Sequence, residues 1–275
     1  MGGLGRWIRG YPVASYVVAA YALSWTAWGL QATRQDPMGT VGTICFLLGG
    51  LGPLFAAGLL ARVAGTGAAF LARLTRWRTA AGWYVVALLG PALVLGGVAL
   101  LASLWTTGDL ALDEVRPLAT LPGLVVSGLL LGGLEEPGWR GFAQERLQRR
   151  HGAFLASLVV GLVWIGWHLP LFAIPGTAQA STPFVPFAVM GLGLAVVFAS
   201  GYNSTGGSVP VVIVLHGAFN GALGWSGLVG PGAGEGAMWL VAGTVCTVAL
   251  GIVLLAGPTT LARDRADQGQ SPRAS

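Results

Sequence analysis

The chain has 275 residues, of which 54% are hydrophobic and only 9% charged, with 45 glycines and a mean hydropathy of +0.72. A water-soluble domain of this size would carry about 25% charged residues, so the composition excludes an ordinary soluble globule, a disordered chain and a collagen-like one. The net charge of +5 arises from arginine alone among the basic residues; in a chain this apolar the arginines read as topological markers, and nucleic acid is excluded as a partner.

At about 20 apolar residues per crossing, the length allows at most about eight or nine spanning helices and no separate soluble domain, so any chemistry has to sit within the bundle. The hydropathy predicts an all-α, polytopic bundle of about eight spans. They cover roughly residues 12–31, 41–61, 81–105, 118–136, 153–174, 184–200, 208–227 and 237–257. The first follows Arg6 and Arg9 and is too long for a cleaved signal core, so it is expected to be a retained signal anchor. After the second, the stretch from Arg62 to Ala80 holds four arginines with Leu71, Leu74 and Trp77 at helical spacing. It suits either a helix lying on the inner membrane surface or a basic connecting loop. The integral membrane unit is expected over residues 1–258, with the polar tail 259–275 disordered. Cys45 and Cys246 lie inside apolar runs without metal or redox spacing and are expected to pack.

Arginine placement supplies the topology. With both termini cytoplasmic, that side receives Arg6, Arg9, Arg62, Arg73, Arg76, Arg78, Arg140, Arg146, Arg149, Arg150, Arg263, Arg265 and Arg273, and the other keeps Arg34 and Arg116. The Arg-only, Ala- and Gly-rich composition looks like that of a GC-rich bacterial gene, which gives a multi-pass protein of the bacterial plasma membrane.

Ionisable groups at membrane depth cost about 2.5 to 3.5 kcal/mol each on insertion scales, so they are functional candidates. Here they cluster in three segments. The fourth runs into Glu135-Glu136-Pro137-Gly138-Trp139-Arg140; Glu136 and Arg140 share a helical face, while Glu135 points about 100° away and is left uncommitted. The fifth carries Trp164-Ile165-Gly166-Trp167-His168-Leu169-Pro170, with His168 one turn after Trp164. The seventh has His216 and Asn220 four apart on one face, flanked by Gly217 and Ala218, which would admit a close neighbouring helix.

An EExxxR, a WxxxH and an HxxxN in this order, from Glu135 to Asn220, resemble the CPBP intramembrane endopeptidases. This family includes the type II CAAX prenyl proteases and the bacteriocin-processing and Abi-type proteins. Its pattern has Phe where Trp164 stands, so the aromatic wall is kept with a changed shape. Peptide hydrolysis needs an activated water, stabilisation of the oxyanion and a proton for the leaving amine. Glu135 is the candidate base, His168 would hold or shuttle protons for the same water, and His216 with Asn220 would donate to the oxyanion. Glu136 with Arg140 would form a structural pair aiming Glu135. The resemblance implies the same roles, residue by residue.

Two routes stay open at this point. Glu135, His168 and His216 would also make a His₂Glu set of the kind that holds catalytic zinc, and the family is often described as metalloproteases. No HExxH is present, and the metal-free glutamate route is the preferred expectation. His151, Glu145, Asp113, Glu114 and Glu235 fall in predicted turns or loops and receive no chemistry. The expected partners are membrane lipid and a membrane-associated or lipidated protein or peptide substrate, cut near the cytoplasmic interface. Alternatives are a non-catalytic scaffold or immunity-type protein of the same fold and, less well supported, a transporter, whose matching halves are absent from the polar pattern.

Overall fold

The computed structural model describes residues 3–107, 116–229 and 234–262. Asp113, Glu114, Arg263, Arg265, Arg273 and the tail beyond residue 262 lie outside the described residues, as does the side chain of Arg6. All regular structure in the described residues is helical: α1 (Gly3–Gly10), α2 (Pro12–Ala32), α3 (Thr40–Gly50), α4 (Gly52–Val63), α5 (Gly67–Leu74), α6 (Ala81–Thr107), α7 (Leu121–Leu131), a single turn α8 (Glu136–Gly138), α9 (Glu145–Trp167), α10 (Phe184–Ser204), α11 (Val209–Trp225) and α12 (Glu235–Ala256). The protein is a polytopic helical bundle.

Each of the eight apolar segments holds a helix, but their lengths differ from the simple expectation. Five described stretches are long and apolar enough to cross a membrane: Pro12–Ala32, Ala81–Trp105, Leu118–Ala173, Phe184–Ser204 and Glu235–Ala256. A sixth forms if α3 and α4, bent by 42°, act as one span. The bend has a local cause, since Pro53 at the start of α4 lacks the N–H that would continue α3. The 56-residue stretch Leu118–Ala173 contains the predicted fourth and fifth segments and is broken twice. Gly132 leaves helical geometry at φ −124°, and Gly152 does so at φ 73°, ψ 165°, which glycine adopts without Cβ strain. The seventh segment, α11, has 17 residues and rises about 26 Å, a little short of the hydrocarbon thickness.

The close approach expected at Gly217 is present, and α7 is the partner. A methyl added at Gly217 would lie 2.7 Å from the Leu129 backbone nitrogen, and one at Gly128 would lie 2.3 Å from the Gly217 carbonyl. At Gly221 the clash would be with Val125 at 2.8 Å. Small residues thus bring the two backbones together where the acid-bearing turn follows α7. The outward faces carry exposed apolar side chains such as Leu93, Leu254 and Val185, as expected where the surrounding solvent is lipid.

The two arginine-rich connections meet. Arg73 from α5 reaches the Glu145 Oε1 at 2.6 Å, Arg149 pairs with the same carboxylate, and Arg146 donates to Thr66 Oγ1 at 2.9 Å. Glu145, assigned to a loop from the sequence, is instead the buried acid that ties these loops together. The stretch 62–80 forms a short helix, α5, followed by irregular chain, with Leu71 and Trp77 exposed. His151 is exposed. Cys45 and Cys246 are free thiols within helices. The segment Thr259–Ala262, placed in the tail from sequence, is a packed turn. The break at Gly152 releases the N–H groups of Ala153 and Phe154, which donate to Thr259 O at 2.8 Å and Pro258 O at 3.0 Å, and Leu261 is fully buried.

Candidate active site

Between α7 and α9 the chain changes pitch three times within a few residues. A 3₁₀ turn, Gly133–Glu135, is followed by α8 and then by a π-helical turn, Trp139–Gln144. Pro137 sits at the start of α8, where its missing N–H costs nothing. Such widened turns are frequent at functional sites. Here the local geometry turns the two adjacent acids to different surroundings.

Glu136 faces inward, away from the cavity. Its Oε1 accepts from Arg140 Nη1 at 2.9 Å and from His216 Nδ1 at 2.7 Å, and all three groups are buried. The spacing-based pair Glu136–Arg140 is therefore present, with His216 from α11 as a further partner that sequence distance concealed. The Arg140 guanidinium also stands 4.9 Å from the centre of the Phe198 ring, and that ring packs against His216 at 4.9 Å.

Glu135 faces the other way. Its Oε2 accepts from the indole N–H of Trp164 at 2.7 Å and of Trp139 at 3.2 Å. His168 packs edge-on to Trp164 at 4.3 Å, and its Nδ1 lies 2.9 Å from the Trp164 carbonyl. A carbonyl only accepts, so Nδ1 carries the hydrogen and a neutral ring presents its Nε2 lone pair. On α11, His216 Nε2 and Asn220 Nδ2 both border Gly132, where an added methyl would come within 2.8 and 2.3 Å of them respectively.

Glu135, His168, His216 and Asn220 line one cavity of about 320 Å³, together with Trp164, Trp167 and Phe187. Glu136 and Arg140 stand behind it. The structure thus brings all six sequence-identified residues into one region, four at the cavity wall and two in support. Sequence reasoning missed the indole donors Trp139 and Trp164 and the bare backbone at Gly132. The Trp139 contact was readable, being four residues from Glu135, the same spacing that revealed Glu136 and Arg140.

Among the described residues, no three of His, Cys, Asp and Glu are grouped so as to hold a metal ion. Oε2 of Glu135 is occupied by two indole donors, and the rings of His168 and His216 are each turned by an Nδ1 bond to a different group. Because both bonds use Nδ1, each ring keeps Nε2 toward the cavity, and Glu135, His168 and His216 stay the set that would hold a metal if one were bound; no chemical step below passes through a metal.

Residues 117–222 match the family described as type II CAAX prenyl endopeptidase, Rce1-like. The likeness to that family is carried by this stretch. It contains the acid turn, His168, His216 and Asn220, so the CAAX-endopeptidase match covers the whole cavity wall named above. The chain is also 43% identical, over 51 residues, to a protein named CAAX prenyl protease 2 from Methanococcus maripaludis, a stretch that is 18% of this chain and 19% of that protein. The match to this relative therefore spans about a fifth of its length.

Proposed function

We propose that this protein is an intramembrane endopeptidase that hydrolyses membrane-associated or lipidated proteins by a glutamate-activated water. The observation that carries the reading is the convergence of Glu135, His168, His216 and Asn220 on one cavity. A water held between Glu135 and the Nε2 lone pair of His168 gives one proton to the Glu135 carboxylate as its oxygen attacks the scissile carbonyl. The resulting oxyanion accepts from Asn220 Nδ2 and His216 Nε2, which sit side by side against Gly132. When the C–N bond breaks, Glu135 returns the proton to the amine nitrogen, and the carboxylate is restored. With both acids ionised, Arg140 leaves the cluster one charge short of neutral. A proton shared by His216 and the Glu136 carboxylate at 2.7 Å balances it and arms Nε2 as a donor.

The match to prenyl endopeptidases favours a prenylated C-terminal peptide as substrate, and the joined arginine loops favour cleavage near the cytoplasmic face of the plasma membrane. The reading is tested with purified protein in detergent and a quenched farnesylated peptide ending in Cys-aliphatic-aliphatic-Met. Asn220→Ala is expected to lower kcat about 10²- to 10³-fold, the usual effect of losing one oxyanion donor. Unchanged turnover in a folded Asn220→Ala protein would remove the oxyanion assignment. Gly132→Ala probes the same place from the opposite wall, since its methyl would displace both donors. A loss comparable to that of Asn220→Ala is expected, with thermal unfolding used to separate it from misfolding.

A further inference from the structure

We infer that Trp164, assisted by Trp139, selects which oxygen of Glu135 takes the proton: the two indoles fix Oε2, and Oε1 is the basic atom. This rests on the reading of Glu135 as the base. The terminal torsion of a glutamate is broad, so an unheld carboxylate would present its two oxygens interchangeably. Here both donors fall on one atom, at 2.7 Å from Trp164 and 3.2 Å from Trp139, while no described residue donates to Oε1. Trp139, Trp164 and Glu135 are 0%, 8% and 4% exposed, so water does not compete freely for these bonds. An indole N–H donates and never accepts, so the clamp cannot itself take the proton from water. Oε2 is thereby spent on orientation.

Trp164 does a second thing with its backbone. Its carbonyl holds His168 Nδ1 at 2.9 Å, so one residue sets both the carboxylate and the ring that flank the reacting water. Trp164 is on this account a positioning residue, acting through Glu135 and His168, and the N–H rather than the ring surface is the working part.

Two measurements on the full chain in detergent micelles test this. The first needs no substrate. With ¹⁵N-labelled indoles assigned through Trp164→Phe and Trp139→Phe, Glu135→Ala is expected to move both Nε1–H resonances upfield. An unmoved Trp164 signal would overturn the clamp. The second uses the farnesylated peptide. Trp164→Phe is expected to lower kcat about 10- to 100-fold, the scale of a lost hydrogen bond to a charged group, with KM within about twofold. An isosteric replacement of Trp164 by 3-benzothienylalanine, which keeps the ring shape and lacks the donor, is expected to match Trp164→Phe. If it instead restores full kcat, shape alone matters and the inference fails. Glu135→Gln run alongside separates the levels. Retained cleavage there overturns the base assignment, while the resonance shifts still decide whether the indoles hold the carboxylate.

Discussion

Glu135→Gln is expected to abolish peptide cleavage while leaving the protein folded, with a loss of about 10²- to 10⁴-fold in kcat, the range a positioned general base supplies. The substitution is close to isosteric. Its amide oxygen can still accept from Trp139 and Trp164, whose donors stand 3.2 and 2.7 Å from the native carboxylate, so the wall of the cavity keeps its shape. What disappears is an atom able to take a proton from water. Thermal unfolding in detergent should be unchanged or slightly raised, because a buried charge has been removed without stranding a partner: Arg140 is paired with Glu136 and not with Glu135. A folded Glu135→Gln protein that still releases the C-terminal tripeptide from the farnesylated peptide would leave a scaffold of the same fold as the better reading. His168→Ala gives a parallel check, since it removes the ring, oriented by the Trp164 carbonyl, whose Nε2 would hold the water, and a comparable loss of cleavage is expected.

The bundle was legible in the sequence because lipid-facing helices declare themselves by hydropathy alone, and each of the eight apolar segments contains a helix. The interruptions were less legible. Pro53 bends one segment, Gly132 breaks another, and α11 stops at 17 residues, yet none of these alters the apolar content a hydropathy window measures. In the site, helical spacing revealed what lies on one turn: Glu136 with Arg140, and His216 with Asn220. It could not reveal bonds between helices. His216 meets Glu136 across 80 positions and Trp164 meets Glu135 across 29; the first of these joins α11, which small residues let close on α7, to the turn that follows α7. Glu145 shows the complementary error. Its neighbours in sequence are polar, which suggested a solvated loop, but Arg73 from a distant connection and Arg149 from its own helix neutralise it in a buried position. The Trp164 departure from the family pattern was read as a change of wall shape. Surface and shape alone give no sign of its indole N–H, which reaches Glu135 Oε2 at 2.7 Å.

Arg140→Met should be strongly destabilising, and it tests the supporting half of the site. Arg140 and Glu136 are 3% and 0% exposed, joined at 2.9 Å, and removing one member of such a buried pair typically costs about 3 to 5 kcal/mol because the other charge is stranded. Methionine fills much of the arginine stem, so the loss reflects charge more than cavity. Among the described residues Glu136 would retain only His216, and its Oε2 has no hydrogen-bond partner among them. The expectation is a marked drop in unfolding temperature in detergent, accompanied by loss of cleavage as His216 follows the unbalanced carboxylate away from Gly132. The double variant Glu136→Gln with Arg140→Met discriminates between causes. With the stranded charge gone, and a glutamine oxygen still able to accept from His216 Nδ1, much of the lost stability should return. Recovery of stability without recovery of turnover would place Glu136 and Arg140 as the charge pair that holds His216 ready. If the double variant is as unstable as Arg140→Met alone, the arginine acts through packing on Phe198, which it faces at 4.9 Å, and the pair has no electrostatic role in aiming the site.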